Sequence, residues 1–264
     1  MMEVLARRKE GGDGSVTVSL ELKPNSQSLK VITVLSTGNE ELDLRLGGGI
    51  PFPSLMLIEG DHGTGKSVLA LQFTYGALRA GLRTYVCSTE ALVKGYLAQA
   101  KKLSYDLYDF FIKGKLKIIP IHMEGVAWAK ELAKYLLTAL SKYMTVTKAE
   151  YDVFVIDTFS VLAVYSDMSS ILNFLTEVRT ITGEGKLIIM TLHPKGLPED
   201  ASLRLKSICD GYFRLSLRDV GGKSVKVMEV IKLRGAPSSL DATVVFDVEP
   251  AFGIKIIPIG LAKA

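Results

Sequence analysis

Cysteine is scarce in this chain: Cys87 and Cys209 are the only two in 264 residues. Neither belongs to a C-x-x-C pair, and both fall in apolar, strand-like runs. They read as buried free thiols rather than as a disulfide or a metal site. Long apolar runs are missing as well. None reaches the roughly 18 residues of a membrane-spanning helix, and no signal-peptide pattern opens the sequence. A reducing cytoplasm is the expected setting. Charge of one sign is also lacking. Lys and Arg number 32 against 28 Asp and Glu, a net charge of +4, so no electrostatic footprint for nucleic acid is present and no nucleic-acid partner is expected. Heptads, tandem repeats and metal-ligand clusters are absent, and the single Trp128 reads as a core or subunit contact.

What the chain does have is apolar substance. Hydrophobic residues make up 48% of it, enough for a core covered on both faces of a sheet. The positive mean hydropathy of +0.26 points to a large buried interface. The length suits one large α/β domain. The expected organisation is a flexible tail over 1–15, carrying Arg7-Arg8-Lys9-Glu10 and a glycine-rich Gly11-Gly12-Asp13-Gly14, followed by a single domain over 16–264.

One stretch organises the rest. Gly60-Asp61-His62-Gly63-Thr64-Gly65-Lys66-Ser67 follows the apolar run Leu55-Met56-Leu57-Ile58 and fits G-x-x-x-x-G-K-[ST], the phosphate-binding loop. Glycines let backbone N–H groups turn inward around an anion. Lys66 supplies charge for the outer phosphates, and the Ser67 hydroxyl is placed to ligate Mg²⁺. A helix beginning here, continuing through Val68, aims its positive end at the same phosphates. The cradle is therefore Gly60, Asp61, His62, Gly63, Thr64, Gly65, Lys66, Ser67 and Val68, and the expected cofactors are ATP and Mg²⁺.

Further apolar strands alternate with helical segments. Arg83 to Cys87 reads as a strand ending in Ser88-Thr89-Glu90, which places a carboxylate at the carboxyl edge of the sheet. Tyr151 to Asp157 is a second apolar strand ending in an acid, about ninety residues after Lys66. That is what a Walker B element requires: one carboxylate at a strand tip, holding a water of the Mg²⁺ shell. Lys186 to Thr191 is a third, with His193 just beyond its end. Tyr105, Tyr108, Phe110 and Phe111 read as packing residues rather than as a base stack. Trp128 to Tyr143 and Asp167 to Ile181 read as helices, and Pro194 to Asp200 as a loop. Consecutive strands over Ile208–Leu217, Lys223–Lys232, Ala242–Asp247 and Phe252–Ile257 read as an antiparallel extension.

A family resemblance is carried by Ser36-Thr37-Gly38, Leu42-Asp43 and Leu46-Gly47-Gly48-Gly49-Ile50-Pro51 ahead of the phosphate loop, and by Lys232-Leu233-Arg234-Gly235 near the end. These resemble the RecA-like ATPases of the KaiC type from about Thr33 almost to the C-terminus. The resemblance implies a RecA-like α/β fold with a mainly parallel central sheet and an antiparallel C-terminal part. It implies that Glu90 orients or deprotonates the attacking water; the alternative for Glu90 is a cap or first-turn charge on a helix over Ala91–Leu103. It implies that His193 is a polar sensor, the alternative being an ordinary loop histidine. It implies that Lys232 and Arg234, two apart on one strand face, reach the γ-phosphate held by a neighbouring subunit of a ring, expected to be hexameric; the alternative is an exposed basic strand face.

Proteins of this type commonly carry two adjacent glutamates where this chain has Thr89-Glu90-Ala91. One carboxylate fewer weakens water activation, a step worth ~10²–10⁴ in rate, so binding is expected with slow turnover. Single-domain length and the loop sequence are most similar to the accessory ATPases of the archaeal motility motor. That likeness implies partners in the motor's secretion-type ATPase and the membrane platform protein, and a place at the cytoplasmic face of the membrane through them. The alternatives are a signalling ATPase that phosphorylates its own Ser88, Thr89 or Thr64, and a recombinase-like DNA-stimulated ATPase.

Overall fold

The computed structural model describes residues 3–10, 16–23, 33–121, 135–220, 222–250 and 252–258. The chain divides into two units, Met1–Ile32 and Thr33–Ala264. In the first, β1 (Glu3–Glu10) pairs antiparallel with β2 (Val16–Lys23), in a register that sets Glu10 opposite Val16. The stretch expected as a tail thus contains a strand. Gly11-Gly12-Asp13-Gly14 lie outside the described residues.

The second unit starts with β3 (Val34–Leu35), α1 (Glu40–Arg45) and β4 (Ile50–Pro51). The Asn39 side chain caps α1 by accepting from Leu42 N at 3.1 Å. Then come β5 (Ser54–Gly60), α2 (Lys66–Arg79), β6 (Thr84–Ser88), α3 (Val93–Lys102), α4 (Tyr108–Ile112) and β7 (Leu116–Pro120). The chain continues through α5 (Leu136–Val146), β8 (Val153–Asp157), α6 (Phe159–Ala163), α7 (Met168–Gly183), β9 (Leu187–Leu192) and α8 (Glu199–Ile208). It closes with β10 (Gly211–Val220), β11 (Lys223–Leu233), β12 (Thr243–Glu249) and β13 (Gly253–Ile257).

Nine strands form one sheet in the order β13-β12-β11-β10-β5-β9-β8-β6-β7. Strands β10 through β7 in that order run parallel, and β11, β12 and β13 extend the sheet antiparallel. This is the RecA-like architecture that the sequence implies. Side chains two apart share a face. Val153 and Val155 therefore enter one core with Met56, Ile58 and Ile189, under Phe73 of α2. Phe154 and Ile156 enter the other with Leu55, Leu57 and Ile188, under Leu140 of α5 and Phe174 of α7. Both faces are covered, and Cys87 and Cys209 are buried free thiols. Among the described residues, no helix is long and apolar enough to cross a membrane.

Several expectations shift. Helix α8 begins inside the segment read as a loop, because Pro198 at its N-cap ends the extended piece while Ala201 and Leu205 supply a buried stripe. The last strands accordingly begin at Gly211 rather than Ile208. Residues 136–143 are helical as expected, whereas Trp128 lies outside the described residues. Of the aromatic group only Tyr105 is buried; its hydroxyl donates to Gln72 Oε1 and accepts from Ile254 N at 3.1 Å. Tyr108 and Phe111 stand out from the surface instead of packing into the core.

Candidate functional site

The parallel strands deliver four loops to one edge of the sheet. In spatial order they follow β5, β9, β8 and β6, and they carry the phosphate loop, His193, Asp157 and Glu90. Strands β9 and β8 are inserted between β5 and β6, so the chain reverses its winding direction at this edge, where open α/β sheets bind ligands.

The loop from Gly60 to Lys66 is shaped by close approach and by left-handed backbone. A Cβ on Gly60 would lie 2.6 Å from Thr64 Oγ1 and 2.8 Å from Leu215 O, distances no side chain tolerates. Gly65, the N-cap of α2, has φ +96°, which favours glycine. Thr64 Oγ1 and Lys66 Nζ both donate to the carbonyl of Asp61, at 2.7 and 2.8 Å. Burial pushes the Lys66 ammonium below its ordinary pKa, against the opposing pull of Asp157, Glu90 and Asp61.

Asp157 ends β8 beside the first turn of α2. Its Oδ1 accepts from Thr191 Oγ1 at 2.7 Å and from Ser67 Oγ at 3.1 Å. Burial raises its pKa, while these two hydroxyls and Lys66 act in the opposite direction. The Asp157 carbonyl accepts from Thr89 N at 2.8 Å, and Thr158 N donates to Thr89 Oγ1 at 3.0 Å, so the tips of β8 and β6 are laced together.

Glu90 is exposed and lines the cleft, with its Oε1 3.5 Å from Thr158 Oγ1. It does not cap a helix, since α3 starts at Val93 with Leu92 as its N-cap. His193 also lines the cleft. Its Nε2 is 3.3 Å from Asp61 Oδ1, its ring centroid 4.9 Å from that of His62, and its backbone N–H donates to Ser160 Oγ at 2.9 Å. These groups surround a cavity of about 600 Å³.

The cavity has walls that the sequence did not single out. Thr158, Ser160, Val161 and Val164 come from the start of α6 and just beyond it, and Lys195 and Gly196 from the loop after β9. Lys226 and Val248 come from β11 and β12. Lys226 pairs with Asp247 at 3.3 Å. Thr158 was readable as the neighbour of Asp157. Lys226 was not, because only the β10–β11 register, which pairs it with Leu217, carries it over the loop.

Lys232 and Arg234 lie elsewhere. Leu233 pairs with Gly211, which pairs with Met56, so the end of β11 is at the sheet edge opposite the phosphate loop. The two cations do not share a free strand face. Lys232 Nζ donates to the carbonyls of Lys206 and Ser207 at 2.8 and 3.2 Å, closing the C-terminal end of α8. Arg234 follows the strand's last residue and lines a separate hollow with Phe52, Arg179 and Asp210.

The residues at the carboxyl edge fit a magnesium nucleotide. A desolvated ammonium stands beside a loop with left-handed backbone at Gly63 and Gly65, and a buried carboxylate stands beside the Ser67 hydroxyl. A polyanion carrying a divalent cation offsets both burial costs at once.

Comparison with known proteins bears on the same region. The family described as "ATPase: KaiC" matches residues 35–260. The archaeal flagellar ATP-binding protein FlaH of Sulfolobus acidocaldarius is 41% identical over 231 residues, covering 88% of this chain and all of that one (100%). The FlaH protein of Methanocaldococcus jannaschii is 31% identical over 226 residues, covering 84% of this chain and 94% of that one. The crystal structure of the flagellar accessory protein FlaH from M. jannaschii superposes with a TM-score of 0.77 at 29% identity, covering 86% of this chain and 99% of that one. A KaiC-like protein of Pyrococcus horikoshii shares the fold, with a TM-score of 0.69 at 21% identity over 85% of this chain and 99% of that one.

Proposed function

The chain belongs to the KaiC family of ATPases and, within it, to the FlaH group, and from that premise we propose that it is the ATP-binding regulatory component of an archaeal flagellum motor. The observation that carries this is the Ser67–Asp157 pair at the mouth of the phosphate loop, with Lys66 beside it. Gly60 to Val68 hold the phosphates. Ser67 and Asp157 would hold Mg²⁺, which would supply charge neutralisation for the phosphates. His193 senses the outermost phosphate, and Glu90, without a second adjacent carboxylate, positions water for slow hydrolysis at most.

The output of such a site is assembly. Arg234 lies at the edge opposite its own phosphate loop, so the phosphate it meets belongs to another copy, in a head-to-tail ring that family analogy makes hexameric. ATP bridges copies and ADP bridges them poorly, and by linkage assembly tightens ATP binding. Nucleotide state then governs docking to the motor's secretion-type ATPase and to the membrane platform protein, at the cytoplasmic face.

The self-phosphorylating alternative is less well supported. Ser88 Oγ accepts from Ala91 N at 3.1 Å, Thr89 Oγ1 from Thr158 N at 3.0 Å, and Thr64 Oγ1 donates to Asp61 O at 2.7 Å, so all three hydroxyls serve the backbone. The DNA-stimulated alternative lacks a basic, aromatic loop after β9, where the chain folds into α8.

Mass in solution with Mg-ATP, Mg-ADP and no nucleotide, measured alongside phosphate release, tests the reading. The expected result is an ATP-dependent oligomer with little turnover, lost in Lys66→Ala and in Arg234→Ala. Rapid hydrolysis persisting in a monomer overturns it.

A further inference from the structure

At the amino-terminal edge of the parallel strands, away from the nucleotide cleft, α4 presents a surface that takes no part in the nucleotide site. The chain reads Tyr108-Asp109-Phe110-Phe111-Ile112-Lys113-Gly114-Lys115 and leads directly into β7. Ile112 is 78% exposed, and Tyr108 and Phe111 are each 37% exposed. On one flank α3 ends in the exposed Lys101 and Lys102, with Lys101 Nζ 5.6 Å from the centroid of the Tyr108 ring. On the other flank Lys113 and Lys115 join Arg79, from the last turn of α2, around a hollow of about 610 Å³ floored by Leu78 and Phe110.

Two acids share the surface, and each is engaged within it. Asp109 pairs with Lys113 at 3.1 Å, and Asp106 accepts from Tyr108 N at 3.1 Å. The cations Arg79, Lys101, Lys102, Lys113 and Lys115 outnumber them.

We propose that α4 and its lysine flanks form a docking face for an anionic lipid bilayer. Three apolar tips in a row project outward instead of lining a groove. A projecting tip suits a deformable surface that closes around it, whereas a folded partner needs a concavity to receive it. Lysines on both flanks set their ammonium groups at headgroup level while their stems follow the tips inward. Aromatic Tyr108 belongs at that boundary, with an apolar ring and a polar end. The placement also leaves the carboxyl edge open to nucleotide, so this proposal stands or falls apart from the nucleotide reading.

Vesicle flotation of the full chain tests it, with phosphatidylcholine alone and with about one third of that lipid replaced by phosphatidylglycerol. The wild type floats with the anionic vesicles only, and added salt releases it. Lys113→Glu with Lys115→Glu lowers the bound fraction at least about tenfold, and so does Phe111→Ser with Ile112→Ser, which leaves the charge unchanged. Melting curves and nucleotide titrations confirm that both double variants are folded. Equal capture by neutral vesicles, no capture at all, or variants that float like the wild type overturn the proposal. So does a Phe111→Ser, Ile112→Ser chain that dissociates a wild-type oligomer without any lipid effect, since the patch would then be a contact between copies.

Discussion

Thr191 donates its hydroxyl hydrogen to Asp157 Oδ1 at 2.7 Å, from a side chain that is itself wholly buried in the neighbouring strand. The Ser67 hydroxyl reaches the same oxygen. One carboxylate oxygen is thereby fixed by two strand- and helix-borne donors, which orients the whole group toward the phosphate loop.

The first prediction concerns that bond. Thr191→Val keeps the volume and removes the donor, so Asp157 loses a fixed partner and its pKa moves further up. Mg²⁺-dependent nucleotide affinity falls by about 10- to 100-fold, the usual cost of losing a group that orients a metal ligand. Thr191→Ser recovers most of it. A fluorescent-nucleotide titration across Mg²⁺ concentrations measures this, and unchanged affinity in the valine variant would show the bond to be dispensable.

Lys66 behaves oppositely in the two states. Its ammonium is desolvated and donates to the carbonyl of Asp61 at 2.8 Å, so burial cost and bond oppose each other. Lys66→Ala therefore abolishes nucleotide binding while the nucleotide-free protein melts within about 0.5 kcal/mol of wild type or slightly higher. The melting shift produced by Mg-ATP disappears with it. Scanning calorimetry with and without nucleotide reports both halves.

Acid stability depends on a different pair. Arg83 N, Nε and Nη2 donate to Asp152 at 3.0, 3.1 and 3.0 Å, tying the start of β6 to the start of β8. Burial alone would raise the Asp152 pKa, but the hydrogen bonds and charge of Arg83 outweigh it and hold the carboxyl below the ordinary range. A depressed carboxylate contributes stability that is complete above its unfolded pKa of about 3.9 and is lost as pH falls through the folded value. Arg83→Met thus lowers the melting temperature at neutral pH and flattens its decline below about pH 4. Melting curves taken from neutral pH downward decide; parallel wild-type and mutant profiles would place the acid sensitivity elsewhere.

Tyr105 supports a fourth expectation. Its hydroxyl links Gln72 in α2 to Ile254 in β13, and Gln72 Nε2 in turn donates to Thr37 O at 2.7 Å. Tyr105→Phe leaves a buried N–H and an amide oxygen without a partner, at a cost of about 1–3 kcal/mol in urea denaturation. A loss under about 0.5 kcal/mol would mean that water takes the place of the hydroxyl.

What could be read from the sequence was what is local in it. The phosphate loop is contiguous, and Asp157, Glu90 and His193 each close an apolar run, so a strand and the group at its tip are read together. Thr191 carries no local signal because its partner lies across a strand boundary, and Lys226 carries none because its position depends on how β11 lies against β10. A register shift between Tyr212 and Phe213 complicates that pairing, and no residue pattern announces it. Helix α8 is obscured in the sequence for a different reason. Arg204 and Lys206 interrupt its apolar positions, and the ion pair of the half-buried Lys206 with the buried Glu59 at 2.7 Å supplies a fixation that hydrophobic periodicity does not register. Lys232 and Arg234 are two apart, the spacing of one strand face, yet the strand ends between them.

The strand order sets the span of the cleft. Between β5, which leads into the phosphate loop, and β6, which leads to Glu90, stand two further strands, so the tips are held three ladder spacings apart, about 14 Å. That gauge is made of peptide hydrogen bonds, and no side chain participates in it. Substitution along the rim can alter which groups meet a ligand and how firmly they hold it. The jaws themselves stay at the separation the backbone gives them, so a guest too short to reach both is gripped from one side only.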